Sequence, residues 1–168
     1  MTGFQECWWE QARSDHLVFV LLREEGVEPC HLLHYLQMVV EKLAKAYRWR
    51  TGTPPVLSHA SFVIFLKMLI SRTSLERERI ALRLGFPGAE SFKSFIRASA
   101  PLAYDIERLA PTLAGDGPNP EYPLPHHCPN HAPATHDFDV WNRIINTAAG
   151  RQLLTTIRGL VDTFPSYA

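Results

Sequence analysis

Apolar side chains recur at steps of three and four residues along most of the chain. This spacing places them on one side of an α-helix. Hardly any stretch alternates apolar and polar residues, as a half-buried strand would. We therefore expect an all-α protein in which long helices, joined by short connections, pack as antiparallel neighbours in an up-and-down bundle.

Glycine and proline divide this pattern into separate helices. Gly26 is a natural end for the first helix, and Pro29 suits the first turn of the second. Pro101 separates the fifth predicted helix from the sixth, and Gly150 is a candidate interruption of the last one. The predicted helices span residues 6–25, 29–49, 60–71, 74–84, 90–98, 102–113 and 140–164.

A proline-rich segment separates the last helix from the others. Residues 111–133 contain seven prolines, a density that removes backbone donors and excludes regular helix and central strand. We therefore predict a long loop over residues 111–139, with Tyr122 and Phe138 favouring packing over disorder. The expected architecture is one domain over residues 1–168, with four to five main helices, extra short helices and this loop.

Composition and charge exclude some classes of function. The chain has 168 residues, with 17 Lys and Arg balanced by 17 Asp and Glu. A general nucleic-acid binder usually has a basic excess, which is missing here. The longest apolar run has six residues, from Leu17 to Leu22, so no membrane span is expected. The three cysteines include no CxxC pair, which favours reduced thiols and a cytoplasmic location.

Positive charge is concentrated at the end of the second predicted helix. The candidate binding residues there are Lys42, Lys45, Arg48 and Arg50, with His59 following the next turn. Arginine can grip a phosphate with two parallel hydrogen bonds, so this set could bind a phosphate or an RNA backbone. The alternative is structural, because cations are favoured at a helix C-terminus and Lys45 follows Glu41 by four residues.

Several short motifs, in order, resemble the HEPN family. Within residues 34–46, Tyr35 and Gln37 precede the pair Glu41-Lys42 and then Lys45-Ala46. Residues 9–15 resemble the opening helix of that family, His59 its histidine after a turn, and residues 119–123 its Arg-Tyr-Pro element. The resemblance adds Glu41 and Tyr122 to the candidate binding residues. It implies a bundle of four or five helices, commonly a homodimer, and many members neighbour a minimal nucleotidyltransferase.

One departure from the family pattern bears on activity. Active HEPN ribonucleases carry an Arg followed by four to six residues and a His on a late helix. In this chain seven residues separate Arg23 from His31, eight separate Arg50 from His59, and no His follows His136. We therefore expect a non-catalytic protein that needs no metal or cofactor. The expected ligand is a partner protein, a nucleotide or RNA, in a toxin–antitoxin or defence system.

Two alternatives remain open. The first is a metal-independent ribonuclease with a rearranged site made of Arg48, Arg50 and His59. The second is a small-ligand or zinc-binding protein that uses the proline-rich loop, where imidazole and thiolate groups suit zinc. The candidate ligands in that loop are His126, His127, Cys128, His131 and His136.

Overall fold

The computed structural model describes residues 1–52, 61–115, 117–123 and 132–167, and these ranges contain helices but no strand. This confirms the predicted all-α class. The α-helices are α1 (Gly3–Glu24), α2 (Pro29–Arg48), α3 (Phe62–Ile70), α4 (Ser74–Arg83), α5 (Ala89–Glu107), α6 (Pro111–Ala114), α7 (Asp139–Asn146) and α8 (Ala148–Thr163). Short 3-10 turns cover Trp49–Thr51, Pro133–Thr135 and Phe164–Ser166. In the described ranges, no helix combines the length and the apolar character needed to cross a bilayer.

Helices α1 and α2 form an antiparallel hairpin. The chain reverses over the four residues between them, with Gly26 in the left-handed region at φ 68°. The ring of Phe4, near the start of α1, stacks at 4.4 Å on that of Trp49, just after the end of α2. Further along α1, Asp15 pairs with Lys42. The partner's number falls as the α1 number rises, so the two helices run in opposite directions.

Helix α2 occupies the centre of the bundle. Twelve of its 20 residues are buried, and it contacts α1, α3, α5 and α8. The core around it is aliphatic and aromatic, and its largest fully buried side chains include Phe62, Phe65, Phe92 and Phe164. A helix surrounded in this way fixes the positions of the elements at both of its ends.

The predicted break at Pro101 is wrong. Helix α5 continues through Pro101 to Glu107 as one element. A proline inside a helix costs about 3 kcal/mol because it removes one hydrogen bond and crowds the preceding turn. Ile96 and Ile106, on either side, are buried in the core. We attribute the continuity to this packing, which opposes the local cost.

The last predicted helix is instead two helices, α7 and α8. The break falls at Thr147, whose hydroxyl oxygen accepts a hydrogen bond from the Gly150 N–H at 2.9 Å and so caps α8. Gly150 lies inside α8, and a Cβ there would approach the carbonyl oxygens of Arg143 and Ile144 to 2.4 Å. Gly150 is therefore needed for the close approach of α7 and α8, and it does not itself interrupt the helix.

The proline-rich segment is also more structured than predicted where the structure describes it. Helix α6 and the turn Pro133–Thr135 both fall within the predicted loop of residues 111–139. Pro111 and Pro133 occupy first-turn positions, where the missing N–H of proline has no helical partner to lose.

A buried carboxylate connects α5 to the beginning of α3. The Glu107 side chain accepts a hydrogen bond from the Val63 N–H at 2.9 Å, and the residue is 4 % exposed. Burial raises the pKa of Glu107, although backbone N–H groups of residues 61–63 favour its ionised form. The first orphan donors of α3 are therefore satisfied from another helix.

We expect Gly150→Ala to lower the free energy of unfolding by about 1–3 kcal/mol, because the new methyl group would collide with backbone of α7. Gly3→Ala is the matched control, since a Cβ at Gly3 has nothing within 4 Å. Urea denaturation of both variants measures the difference. Equal stability of the two variants would contradict the proposed role of Gly150.

Glu107→Gln should change how stability depends on pH. The pKa of Glu107 is higher in the folded protein than in the unfolded chain. The protonated carboxyl therefore stabilises the fold at low pH, and this contribution to the free energy of unfolding is lost as the pH rises through the folded-state pKa. Glutamine does not titrate, so the variant should gain stability relative to the wild type as the pH rises across the acidic range. Denaturation at several pH values tests this. A difference independent of pH would show that Glu107 is not perturbed.

Candidate functional site

Two of the predicted cations lie in a polar layer between α1 and α2. The Lys42 ammonium pairs with the Asp15 carboxylate, and the Lys45 ammonium pairs with the Glu41 carboxylate. The four side chains are 7–12 % exposed. We refer to Asp15, Gln37, Glu41, Lys42 and Lys45 as the α1–α2 polar layer.

Further polar contacts complete this layer. The Gln37 amide donates to the second Glu41 oxygen at 3.0 Å, and the Gln11 amide donates to Asp15 at 3.0 Å. The Lys45 ammonium also lies 5.0 Å from the centre of the Trp8 ring. Each of the two lysines is thus neutralised by a largely buried carboxylate, an arrangement that suits a structural network between the helices. That Lys42, Lys45 and Glu41 bind a ligand stays a prediction.

Arg50 has a different environment from the lysines. It lies in the turn Trp49–Thr51, where its Nη1 donates to the Tyr47 hydroxyl at 3.1 Å. Its guanidinium lies 4.6 Å from the centre of the Tyr47 ring. Arg48, two residues earlier, is half-buried and has partners of its own. The cations predicted as one set are therefore divided between the α1–α2 polar layer and the end of α2.

Arg50 contributes to a cavity of about 320 Å³ that we call the arginine pocket. The end of α2, helix α4 and the chain after α8 meet there. The lining residues are Arg50, Arg72, Glu76, Arg79, Ile80, Arg83, Ser166 and Tyr167. Four arginines and one carboxylate residue, Glu76, are among the described residues that line this space, so the described lining has a positive excess.

The buried Tyr47 orients two of these arginines. Its hydroxyl accepts from Arg72 Nε at 2.8 Å as well as from Arg50 Nη1, which uses both lone pairs of the oxygen. Tyr47 is 1 % exposed, and burial raises its pKa, so the hydroxyl remains neutral. The Tyr47 hydroxyl thus holds the Arg50 and Arg72 side chains in place before an anion binds. Less conformational entropy is then lost when these guanidinium groups bind an anion.

The other contacts of the pocket arginines are mostly long or made to neutral groups. Arg72 Nη1 lies 3.4 Å from Glu76, and Arg72 Nη2 lies 3.5 Å from the Tyr167 carbonyl oxygen. Arg83 Nη1 donates to the Ser166 carbonyl oxygen at 2.9 Å. An anion can compete for these donors, because an ionised acceptor attracts a guanidinium more strongly than a neutral carbonyl oxygen does.

The pocket's own groups suit binding better than proton transfer. Hydrogen bonds from Thr73 lower the pKa of Glu76, which keeps that carboxylate ionised. Tyr47 is held neutral, and arginine does not lose its proton in proteins. Neither Glu76 nor Tyr47 is therefore poised to exchange a proton near neutral pH, as a general acid or base requires.

The remaining predicted residues do not join the pocket within the described chain. Tyr122 is exposed, and its backbone N–H donates to Asn119 at 2.8 Å. Its neighbour Glu121 lies 3.3 Å from His34 Nδ1, near the start of α2. His34 precedes Arg50 by 16 residues, roughly 24 Å along a helix.

Most of the predicted histidine sites lie outside the described residues. His59 does so, and so do four candidate zinc ligands, which are His126, His127, Cys128 and His131. His136 is described, and its ring meets that of Phe138 edge-on at 4.6 Å. Among the described side chains, no group of three or more His, Cys, Asp or Glu is placed to hold a metal ion.

The reasoning from sequence missed three of the four pocket arginines. Arg79 and Arg83 are four residues apart, a spacing that places them on one side of the helix predicted over residues 74–84, and Arg72 comes two residues before that helix. That signal was available in the sequence. Their meeting with Arg50 depends on how α4 packs near the end of α2, which local spacing does not reveal.

Comparisons with protein-family models, with curated proteins and with solved structures find no match to this chain. The resemblance to the HEPN family therefore stays a prediction. The functional argument below depends on the geometry of the arginine pocket.

Proposed function

We propose that this protein is a non-catalytic binding protein that holds a phosphate-bearing ligand in the arginine pocket. The observation that carries the proposal is the convergence of four arginines on one cavity, with Glu76 the one carboxylate residue among the described lining residues. Two of those arginines are oriented by the buried hydroxyl of Tyr47.

Phosphate is the anion that best matches this donor set. A guanidinium presents parallel N–H groups in a fixed plane, which fits two oxygens of a phosphate. Arginines on separate elements can approach a tetrahedral group from several directions. The proposed ligand is a nucleotide or an RNA bearing such a phosphate, held by local charge in a chain whose total charge is balanced.

We propose that the protein is non-catalytic because of the chemistry of the described residues in and beneath the pocket. Tyr47 is kept neutral and Glu76 ionised, so neither is poised to exchange a proton near neutral pH. The departure from the Arg-to-His spacing of active HEPN ribonucleases supports the same conclusion. Cleavage of RNA by the purified protein, abolished by Arg50→Ala or His59→Ala, would contradict it and favour the ribonuclease alternative.

The biological setting is proposed from the HEPN resemblance. It comprises a cytoplasmic homodimer, a nucleotidyltransferase-like partner protein and a role in a toxin–antitoxin or defence system. A purified protein that sediments as a monomer at micromolar concentration would remove the homodimer from this proposal.

We expect Arg72→Ala to weaken phosphate-ligand binding by about tenfold or more, since hydrogen bonds between charged groups each contribute about 1.5–3 kcal/mol. Tyr47→Phe should cause a smaller loss, because it removes the shared acceptor but leaves both cations. Isothermal titration calorimetry with ATP and with a 5′-phosphorylated RNA oligonucleotide measures both effects.

Arg97→Ala is the matched control for this experiment. Arg97 is exposed on α5 and does not line the pocket, so its loss should leave the affinity unchanged. Equal weakening by Arg72→Ala and Arg97→Ala would show only diffuse attraction between the ligand and a cationic surface. Failure of the wild type to bind either probe would refute the proposed function.

A further inference from the structure

A second surface of the molecule lies between α1 and α8, away from the arginine pocket. The two helices meet where Trp9 Nε1 donates to the Val161 carbonyl oxygen at 2.8 Å. Beyond that contact they leave a cavity of about 600 Å³, which we call the α1–α8 groove. The groove is lined mainly by His16, Phe19, Val20, Arg23, Arg151, Leu154 and Arg158.

The floor of the groove is apolar. Phe19 is buried, while Val20 and Leu154 are partly buried and pack against the core. On the neighbouring side of α1, Leu17 and Leu21 are 60 % and 50 % exposed. Two large aliphatic side chains one turn apart thus add exposed apolar surface on the side of α1 next to the groove, where a partner would bury it.

The rim of the groove is positively charged. Arg23 stands on the α1 side, and Arg151 and Arg158 stand two turns apart on α8. Arg158 lies 3.6 Å from Asp162, but both side chains are more than half exposed. Among the described residues that line the cavity, Glu24 is the one carboxylate residue. His16 adds little charge at neutral pH, because burial lowers its pKa.

We infer that the α1–α8 groove binds an acidic amphipathic helix of a partner protein. Lining residues on α1 and α8 extend over about two helical turns, roughly 10–12 Å. Apolar side chains at three- and four-residue steps on the incoming helix would cover Val20, Leu154 and Leu17. Its Asp and Glu residues would face Arg23, Arg151 and Arg158, as in helix-in-groove recognition.

Charge distinguishes this occupant from a second copy of the chain. In a twofold dimer the same patch meets itself, so the described lining of one copy, with three arginines and Glu24, would meet the same net positive charge on the other. An acidic helix instead neutralises this charge.

The probe for this inference is a fluorescein-labelled, helix-forming peptide of about four turns, with Leu at steps of three and four and Glu at the flanking positions. Two control peptides share its length. One has the same residues in scrambled order, and the other has Lys in place of every Glu. Fluorescence anisotropy with the full chain measures their affinities.

The variant for this test combines Arg151→Glu with Arg158→Glu. Its matched control combines Lys67→Glu with Arg97→Glu, which makes the same charge change at exposed sites on α3 and α5. We expect the periodic acidic peptide to bind at least tenfold more tightly than either control peptide. We also expect the groove variant to lose at least tenfold in affinity while the control variant keeps most of it. Circular dichroism melts confirm that both variants are folded.

Each other outcome would overturn the inference. Equal binding of the three peptides, or no binding, would remove helix recognition. Equal losses in the two variants would mean that the peptide responds only to total charge. Sedimentation of the wild type as a dimer that the groove variant converts to monomer would assign the groove to a second copy. Binding of laurate in place of the acidic peptide would assign it to a small amphiphile.

Discussion

The burial of α2 on several sides is the constraint on which the rest of this structure depends. A helix surrounded by others must satisfy every polar group it carries, because an unpaired charge in a dry interior costs several kcal/mol. Lys42 and Lys45 are accordingly paired with Asp15 and Glu41. At the end of the same helix, the buried Tyr47 hydroxyl is satisfied by two arginines. The need to satisfy buried polar groups thus accounts for the neutralised lysines of α2 and for the two arginines oriented by Tyr47.

This arrangement gives a physical meaning to the balanced charge of the chain. The balance of 17 cationic against 17 anionic residues holds only for the total. Acidic residues neutralise the lysines inside the α1–α2 polar layer, while arginines are in excess around the arginine pocket and along the α1–α8 groove. Such local excess suits recognition of particular anionic groups, and the neutral total reduces the general attraction to nucleic acid.

The sequence predicts best where the signal is local. Pro29 places the start of α2 at the observed residue, and the predicted end at residue 49 lies one residue beyond the observed end at Arg48. The prediction fails at Pro101, where packing of α5 overrides the local cost of proline. It also fails at the α7–α8 break, because Gly150 is required by the close approach of the two helices.

The spacing of Glu41 and Lys45 predicts their ion pair, whereas the Asp15–Lys42 pair depends on how the α1–α2 hairpin folds. The arginine pocket likewise depends on tertiary packing, since its lining residues range along the chain from Arg50 to Tyr167.

The most direct test of the central claim is to observe the pocket arginines while an anion is added. In ¹H–¹⁵N spectra of the full chain, the Nε–H signals of Arg50 and Arg72 should shift saturably as pyrophosphate is titrated in. The Nε–H signals of Arg97 and Arg108, which lie outside the pocket, should stay in place. Small, unsaturable shifts shared by all four arginines would contradict the account, because they would mean that pyrophosphate only screens surface charge.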